Sequence, residues 1–256
     1  MLITDYYCSR LKTMSFSDKE SGYSLLELGI TLFIVAGLVT SGSILSGSAV
    51  SSTKRSETGQ KITVTKADLQ RFIIVNDRLP CPDSNGDGVE NCLGPAFGTL
   101  PHLTLKLPGE VVDSNGNSLL YAANSALLDP TAITPASWDY SGISLSGFCK
   151  ALSSEMTAVF DSAEPAVAKT SSCNGASGAL NPAFILLSSG LADLDGDGIS
   201  YDGINANVSA GTSICVENPD KSGTNVYDDK VEVIGFAELF GKLCLASDDK
   251  FVAGPG

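Results

Sequence analysis

The sequence predicts an α+β fold in which a long N-terminal helix, membrane-spanning in its first half, packs on an antiparallel β-sheet domain with disulfide-stapled loops. An apolar run extends from Leu25 to Leu45, which is long enough to cross the roughly 30 Å core of a bilayer as a helix. From Pro80 onward, short apolar runs alternate with clusters of Gly, Asn, Asp, Ser and Pro, as is typical of strands and turns. Six of the seven cysteines follow the apolar run.

The chain of 256 residues is predicted to have three parts. These are a leader at 1–22, a long helix at 23–75 with a transmembrane part at about 24–45, and a globular domain at 76–256. The second half of the helix carries four apolar residues at helical spacing, Ile62, Leu69, Phe72 and Ile73. We expect this apolar face to lie on the globular domain.

The globular domain is predicted to contain several short strands and a second helix. Apolar runs between turn residues predict strands at 118–123, 183–188, 214–217 and 231–236. A helix is predicted at 147–161, because five apolar residues recur there at helical spacing, Phe148, Leu152, Met156, Val159 and Phe160.

The charge of the chain bears on its partners. The formal net charge is −13 at pH 7. An acidic surface repels phosphate, so direct binding of nucleic acid is not expected and cations are the favoured partners.

The cysteines indicate an oxidising compartment for the globular domain. Cys8 precedes the apolar run, and the six that follow it are Cys81, Cys92, Cys149, Cys173, Cys215 and Cys244. An even number outside the cytoplasm predicts three disulfides, and reduced, buried cysteines in a cytosolic protein are the alternative. Pairing of sequence neighbours (81–92, 149–173 and 215–244) is the simplest connectivity, although the sequence alone does not decide it. Basic residues flank the run on both sides, so the cysteines rather than the positive-inside rule place the C-terminal domain outside.

One carboxylate, Glu27, lies near the start of the apolar run. A charge at membrane depth costs about 2.5–3.5 kcal/mol, so it is rarely retained without a partner. The segment Lys19–Gly22 precedes the apolar run and resembles a processing signal, whereas an ordinary signal peptide is cut after its apolar run.

Gly22, the aromatic Tyr23, three further residues, Glu27 and then a long apolar helix resemble the N-terminal motif of type IV pilins and type II secretion pseudopilins. The resemblance implies that a prepilin peptidase cuts after Gly22 and that the new N-terminus at Tyr23 is methylated. It also implies that Glu27 pairs with the terminal amine of a neighbouring subunit during assembly. Tyr23 stands where phenylalanine is commoner in the family, and the apolar run lacks the proline that many members carry near its middle.

The resemblance implies a structural subunit of a type IV pilus or type II secretion pseudopilus, and the length of the chain favours a minor subunit. The implied partners are prepilin peptidase, other pilin or pseudopilin subunits and the inner membrane. The implied location is the bacterial inner membrane, with a single pass and the C-terminal domain in the periplasm, and then the filament. A membrane-anchored, calcium-binding surface adhesin that does not polymerise is the alternative. An enzyme is not expected, because the only histidine, His102, belongs to no catalytic motif.

The segment "DLDGDGISYD" is a candidate calcium loop. It places Asp193, Asp195 and Asp197 at alternate positions, with Asp202 further on. Calcium prefers six to eight oxygen ligands, which such a loop can help to supply. A complete EF-hand is excluded, because Ile204 stands where the bidentate Glu is required. A solvated turn between strands is the equal alternative.

A second candidate calcium loop contains Asp83, Asn85 and Asp87 between Cys81 and Cys92. A disulfide across this short loop would hold its shape without a metal, adding about 3 kcal/mol by restricting the unfolded chain. Asp228 and Asp229 are further candidate ligands, without an assignment to either loop.

Overall fold

A computed structural model describes residues 24–129, 147–169, 172–209, 214–221, 224 and 226–245, with side chains 37–51, 176 and 209 excepted. The helices are α1 Leu25–Asn76, α2 Gly147–Glu155, α3 Gly175–Gly178, α4 Asn205–Ser209 and α5 Phe236–Phe240. The strands are β1 Phe97–Thr99, β2 Leu120–Ala123, β3 Ala166–Ala168, β4 Ala179–Leu180, β5 Phe184–Ser188, β6 Cys215–Val216 and β7 Lys230–Ile234. A 3₁₀ turn covers Ser125–Leu127, and a π-helical turn covers Gly241–Leu245.

The main sheet has the strand order β1-β2-β5-β7, and every pair in it is antiparallel. The predicted antiparallel sheet is therefore confirmed, although a smaller sheet also joins β3 to β4 in antiparallel and to β6 in parallel fashion. All five residues of β5 are buried, as expected for an inner strand covered on both faces. The helix predicted at 147–161 ends earlier, at Glu155.

The chain divides into two compact units, Met1–Ala49 and Val50–Gly256, and the boundary falls within α1. In the second unit, Ile62, Leu69 and Ile73 are buried in the core with side chains of the main sheet, α2 and α5. Phe72, predicted on the same face, is only partly buried and lies beneath the Arg78 guanidinium. The surface of α1 that packs on the sheet therefore includes Ile62, Leu69 and Ile73.

The predicted membrane-spanning first half of the helix is wrong. Among the described residues, no helix combines the length and the apolarity that crossing a bilayer requires. The same finding contradicts the predicted transmembrane part at about 24–45 and the predicted single-pass location in the inner membrane.

Three disulfides are present, and they join Cys81 to Cys92, Cys149 to Cys244, and Cys173 to Cys215. Only the bridge between Cys81 and Cys92 agrees with the predicted pairing of sequence neighbours; the predicted bridges 149–173 and 215–244 are wrong. The other two observed bridges follow from tertiary packing: α2 contacts α5, which brings Cys149 to the turn after α5, and β6 pairs with β3 shortly before Cys173. The sequence predicted the number of bridges, and the fold sets two of the partners.

Candidate functional site

The Asp-Gly loop (residues 193–203) connects β5 to α4 and is shaped by its own carboxylates. Asp193 accepts hydrogen bonds from the N–H groups of Gly196 at 2.7 Å and Gly198 at 2.8 Å. Both glycines have positive φ, at 76° and 85°, a conformation that other residues rarely adopt. Asp195 accepts from Gly203 N at 2.8 Å, which closes the loop.

The loop brings together most of its predicted calcium ligands. Asp193, Asp195 and Asp202 each offer a carboxylate oxygen, and these oxygens lie within 4.8 Å of one another. Asp193 and Asp195 are exposed, whereas Asp202 is fully buried. Asp197, predicted as the fourth ligand, is outside the group, and its carboxylate accepts a hydrogen bond from Ile199 N at 2.8 Å.

Asp202 also belongs to a second group, the aspartate triad (Asp202, Asp228 and Asp229). One carboxylate oxygen from each residue lies within 4.8 Å of the others, and the three are exposed by 0%, 9% and 8%. The triad is positioned by the main sheet. Ser188 at the end of β5 is paired with Lys230 at the start of β7, so the residues just after β5 meet those just before β7.

Backbone N–H groups and one amide hold the triad in place. Asp202 accepts hydrogen bonds from Leu194 N at 3.0 Å and Asp228 N at 2.8 Å. Asp229 accepts from Gly190 N at 3.0 Å, from Asp202 N at 2.8 Å and from the Asn205 amide at 2.9 Å. No lysine or arginine is recorded in an ion pair with these carboxylates among the described residues.

One oxygen of the triad is left without a partner. Asp228 Oδ2 accepts from Leu191 N at 2.7 Å, but Oδ1 is buried and has no hydrogen-bond partner among the described residues. Gly190 approaches this oxygen so closely that a Cβ on it would lie 1.4 Å away. A buried carboxylate oxygen without a donor is unfavourable, so the site suits a proton or a cation.

The pKa values of Asp228 and Asp229 reflect the proximity of the three buried carboxylates. Burial raises the pKa of Asp229 to about 6, against the hydrogen bonds from Asn205, Asp202 N and Gly190 N, and the charge of Asp202 adds to the rise. Burial likewise raises the pKa of Asp228 and the charge of Asp202 adds to the rise, against the hydrogen bond from Leu191 N and the positive charge of Arg55. The triad is therefore reluctant to carry three negative charges without a counter-ion.

We expect the protein in the presence of EDTA to lose stability as the pH rises from about 4 to about 7. Asp229 binds its proton more tightly when folded, with a pKa of about 6 against an ordinary 3.8. Its contribution to stability is thus fully present below the lower value and is lost as the pH rises through about 6, by roughly 1–3 kcal/mol. Urea unfolding across this range measures the slope. Asp229→Asn should flatten it, and an equal slope in both proteins would contradict the assignment.

The second predicted calcium loop, the disulfide loop (residues 81–92), uses its key carboxylate for its own backbone. Asp83 is buried and accepts from the N–H groups of Asn85, Gly86 and Gly88 at 2.7 to 3.2 Å. Burial disfavours the ionised form of Asp83, but the N–H groups of Gly88, Gly86 and Asn85 prevail and lower its pKa. Both oxygens of Asp83 thus accept hydrogen bonds from the backbone of the loop.

A further cluster in this loop contains Glu90 with Cys81 and Cys92. The two cysteines form a disulfide, so neither supplies the thiolate that a metal requires. Glu90 is engaged by the Arg78 guanidinium through two hydrogen bonds of 2.6 and 2.7 Å. These contacts make the disulfide loop a structural element.

The residues of the N-terminal motif are only partly described. Gly22, Tyr23 and the rest of the leader at 1–22 lie outside the described residues. Glu27 lies in the first turn of α1, where its negative charge suits the positive end of the helix dipole. It is surrounded in sequence by exposed large apolar side chains.

The sequence alone did not reveal the contribution of two pairs of residues to the site. Asp228 and Asp229 were recognisable as an acidic pair before a strand, but their contact with Asp202 depends on strand pairing. Asn205 and Gly190 carry no sequence signal, and their importance follows only from their contacts with the triad.

No family model, curated protein or solved structure matches this chain. The comparisons therefore add no support to the resemblance between its N-terminal motif and pilins.

Proposed function

We propose that the chain is a pilin-like structural subunit that is cut after Gly22 and assembles into a filament through its N-terminal helix. The supporting observation is the surface of α1 from Leu25 to Val35. All eight large apolar side chains in this segment are exposed, by 53% to 90%. A helix that is apolar on every side requires a cover, and equivalent helices of neighbouring subunits provide one.

Glu27 gives this packing a defined register. It is the only charged residue between Glu20 and Lys54. Cleavage after Gly22 creates a terminal amine four residues away, and an amine of one subunit can pair with Glu27 of the next. A carboxylate enclosed by apolar helices without such a partner is strongly unfavourable, so the pair favours one alignment of subunits.

Replacing Glu27 with Ala should weaken each subunit contact by about 1.4 kcal/mol, a tenfold loss of affinity, and should reduce the yield of filaments. Cleavage and the unfolding temperature of the globular unit should not change, because Glu27 lies outside that unit. Glu57→Gln is the matched control, since Glu57 lies on the same helix and forms only an exposed pair with Lys61 at 3.2 Å. Normal filaments from the Glu27 variant would contradict the proposed pairing and favour a subunit that does not polymerise.

A second candidate function is the binding of a divalent cation, and the unpartnered Oδ1 of Asp228 favours it. Asp202 and Asp229 supply neighbouring buried oxygens, and Asp202 also forms a group with Asp193 and Asp195. All of these donors are carboxylate oxygens, the ligand class that Ca²⁺ prefers. Such an ion would relieve the repulsion within the triad and tie the Asp-Gly loop to the start of β7.

Calcium should raise the unfolding temperature of the protein relative to EDTA, since a ligand at a hundred times its Kd stabilises the folded state by about 2.7 kcal/mol. Asp228→Asn should remove most of this increase. Asp220→Asn, on an exposed turn, is the matched control and should retain it. An unfolding temperature that is the same with calcium and with EDTA would exclude this function.

A further inference from the structure

A groove of about 400 Å³ lies between the end of α2, β4 and the start of α5. Most of its lining is apolar, and the largest side chains are Met156, Val159, Phe160, Leu180 and Phe236. Val159 is 89% exposed and Leu180 58% exposed. Neither the N-terminal part of α1 nor the aspartate triad contributes to this surface, so it is independent of the functions proposed above.

The groove is acidic at its edge. Glu155 is part of the lining, and no basic side chain is. Burial raises the pKa of Glu155, and the charges of Glu164 and Asp161 raise it further. Glu155 is also the last residue of α2, where the negative end of the helix dipole favours a cation.

We propose that this groove binds a segment of another protein that carries a large apolar side chain next to a Lys or Arg. The apolar side chain would cover Val159 and Leu180, and the cation would approach Glu155. Complementary charge selects such a partner and accelerates its association. A second copy of this chain is a poorer match, because its net charge of −13 would bring acid to an acidic edge.

The single described methionine, Met156, provides a direct probe of the groove. The full chain labelled with ¹³C at its methionine methyl groups would be titrated with a short synthetic peptide that alternates Lys with Leu and Phe. The Met156 signal is assigned with Met156→Leu. Two peptides serve as controls, one with Glu in place of Lys and one with Ser in place of Leu and Phe. We expect a saturable shift of the Met156 signal with the first peptide alone.

Variants of exposed residues then place the binding in the groove. Leu180→Ser and Val159→Ser should each weaken binding by about tenfold, and Glu155→Gln by about threefold. Val226→Ser and Asp220→Asn, at exposed positions outside the groove lining, should bind as the unaltered chain does. No shift of Met156, or equal affinity in all variants, would overturn the proposal. A Met156 signal that moves with protein concentration alone would assign the groove to a second copy and would also overturn it.

Discussion

Replacing both Cys149 and Cys244 with Ala is expected to lower the free energy of unfolding by about 4–5 kcal/mol. The bridge closes a segment with a sequence separation of 95, so its loss frees a long loop in the unfolded chain. Cys149 is fully buried in α2, and Cys244 packs against the same core from the turn after α5. The loss is measured by urea unfolding followed by circular dichroism.

The pair Cys81 and Cys92 is the matched control for this measurement. Its bridge spans a sequence separation of only 11, so replacing both residues with Ala should lower the free energy of unfolding by about 3 kcal/mol. We expect removal of the Cys149–Cys244 bridge to lower the free energy of unfolding more than removal of the Cys81–Cys92 bridge. A larger loss from the short bridge would show that strain or local contacts, rather than loop length, determine the stabilisation.

Phe184→Ala is expected to lower the free energy of unfolding by about 3–5 kcal/mol, because it leaves a cavity in a closely packed core. Phe184 is fully buried in β5, which is paired on both edges, and its ring centroid lies 6.2 Å from that of Tyr121. Phe184→Leu should cause a smaller loss. Val226→Ala, at an exposed position, should change the free energy by no more than about 0.5 kcal/mol. Similar values for the buried and exposed substitutions would contradict the position of Phe184 in the core.

Strands β2, β5, β6 and β7 and helix α2 of the globular unit were predictable from the sequence, whereas its other described strands and short helices were not. The buried run at 183–188 contains β5, and the run at 231–236 contains most of β7, because apolar, β-branched residues between turns favour strands. Helix α2 begins at the predicted residue 147 but stops at Glu155. Val159 and Phe160 continue the apolar spacing beyond its end, which made the predicted helix too long.

Features that depend on tertiary packing were not predictable. The bridge between Cys149 and Cys244 requires α2 to lie on α5, and no local pattern reports that contact. The predicted membrane span rested on the run from Leu25 to Leu45, but among the described residues no helix is long and apolar enough to cross a bilayer.

The candidate site also combines features that the sequence predicts with features that depend on tertiary packing. The alternating aspartates at 193–197 were recognisable from their spacing, and two of them do meet Asp202. The approach of Asp228 and Asp229 to Asp202 depends on the register of β5 against β7, where Ser188 is opposite Lys230. The disulfide loop has the same sequence pattern as the Asp-Gly loop, and Asp83 and Asp193 accept equivalent backbone hydrogen bonds, but Asp83 is buried whereas Asp193 is exposed.

The most direct test of the proposed function is the intact mass and N-terminal sequence of the protein purified from its native cells. We predict a chain that begins at N-methylated Tyr23 and in which the six cysteines after the leader are oxidised. That result would show processing as a pilin-like subunit. A chain that retains residues 1–22 in cells with an active prepilin peptidase would contradict the proposal, and Glu27 would then have no assembly partner created by cleavage.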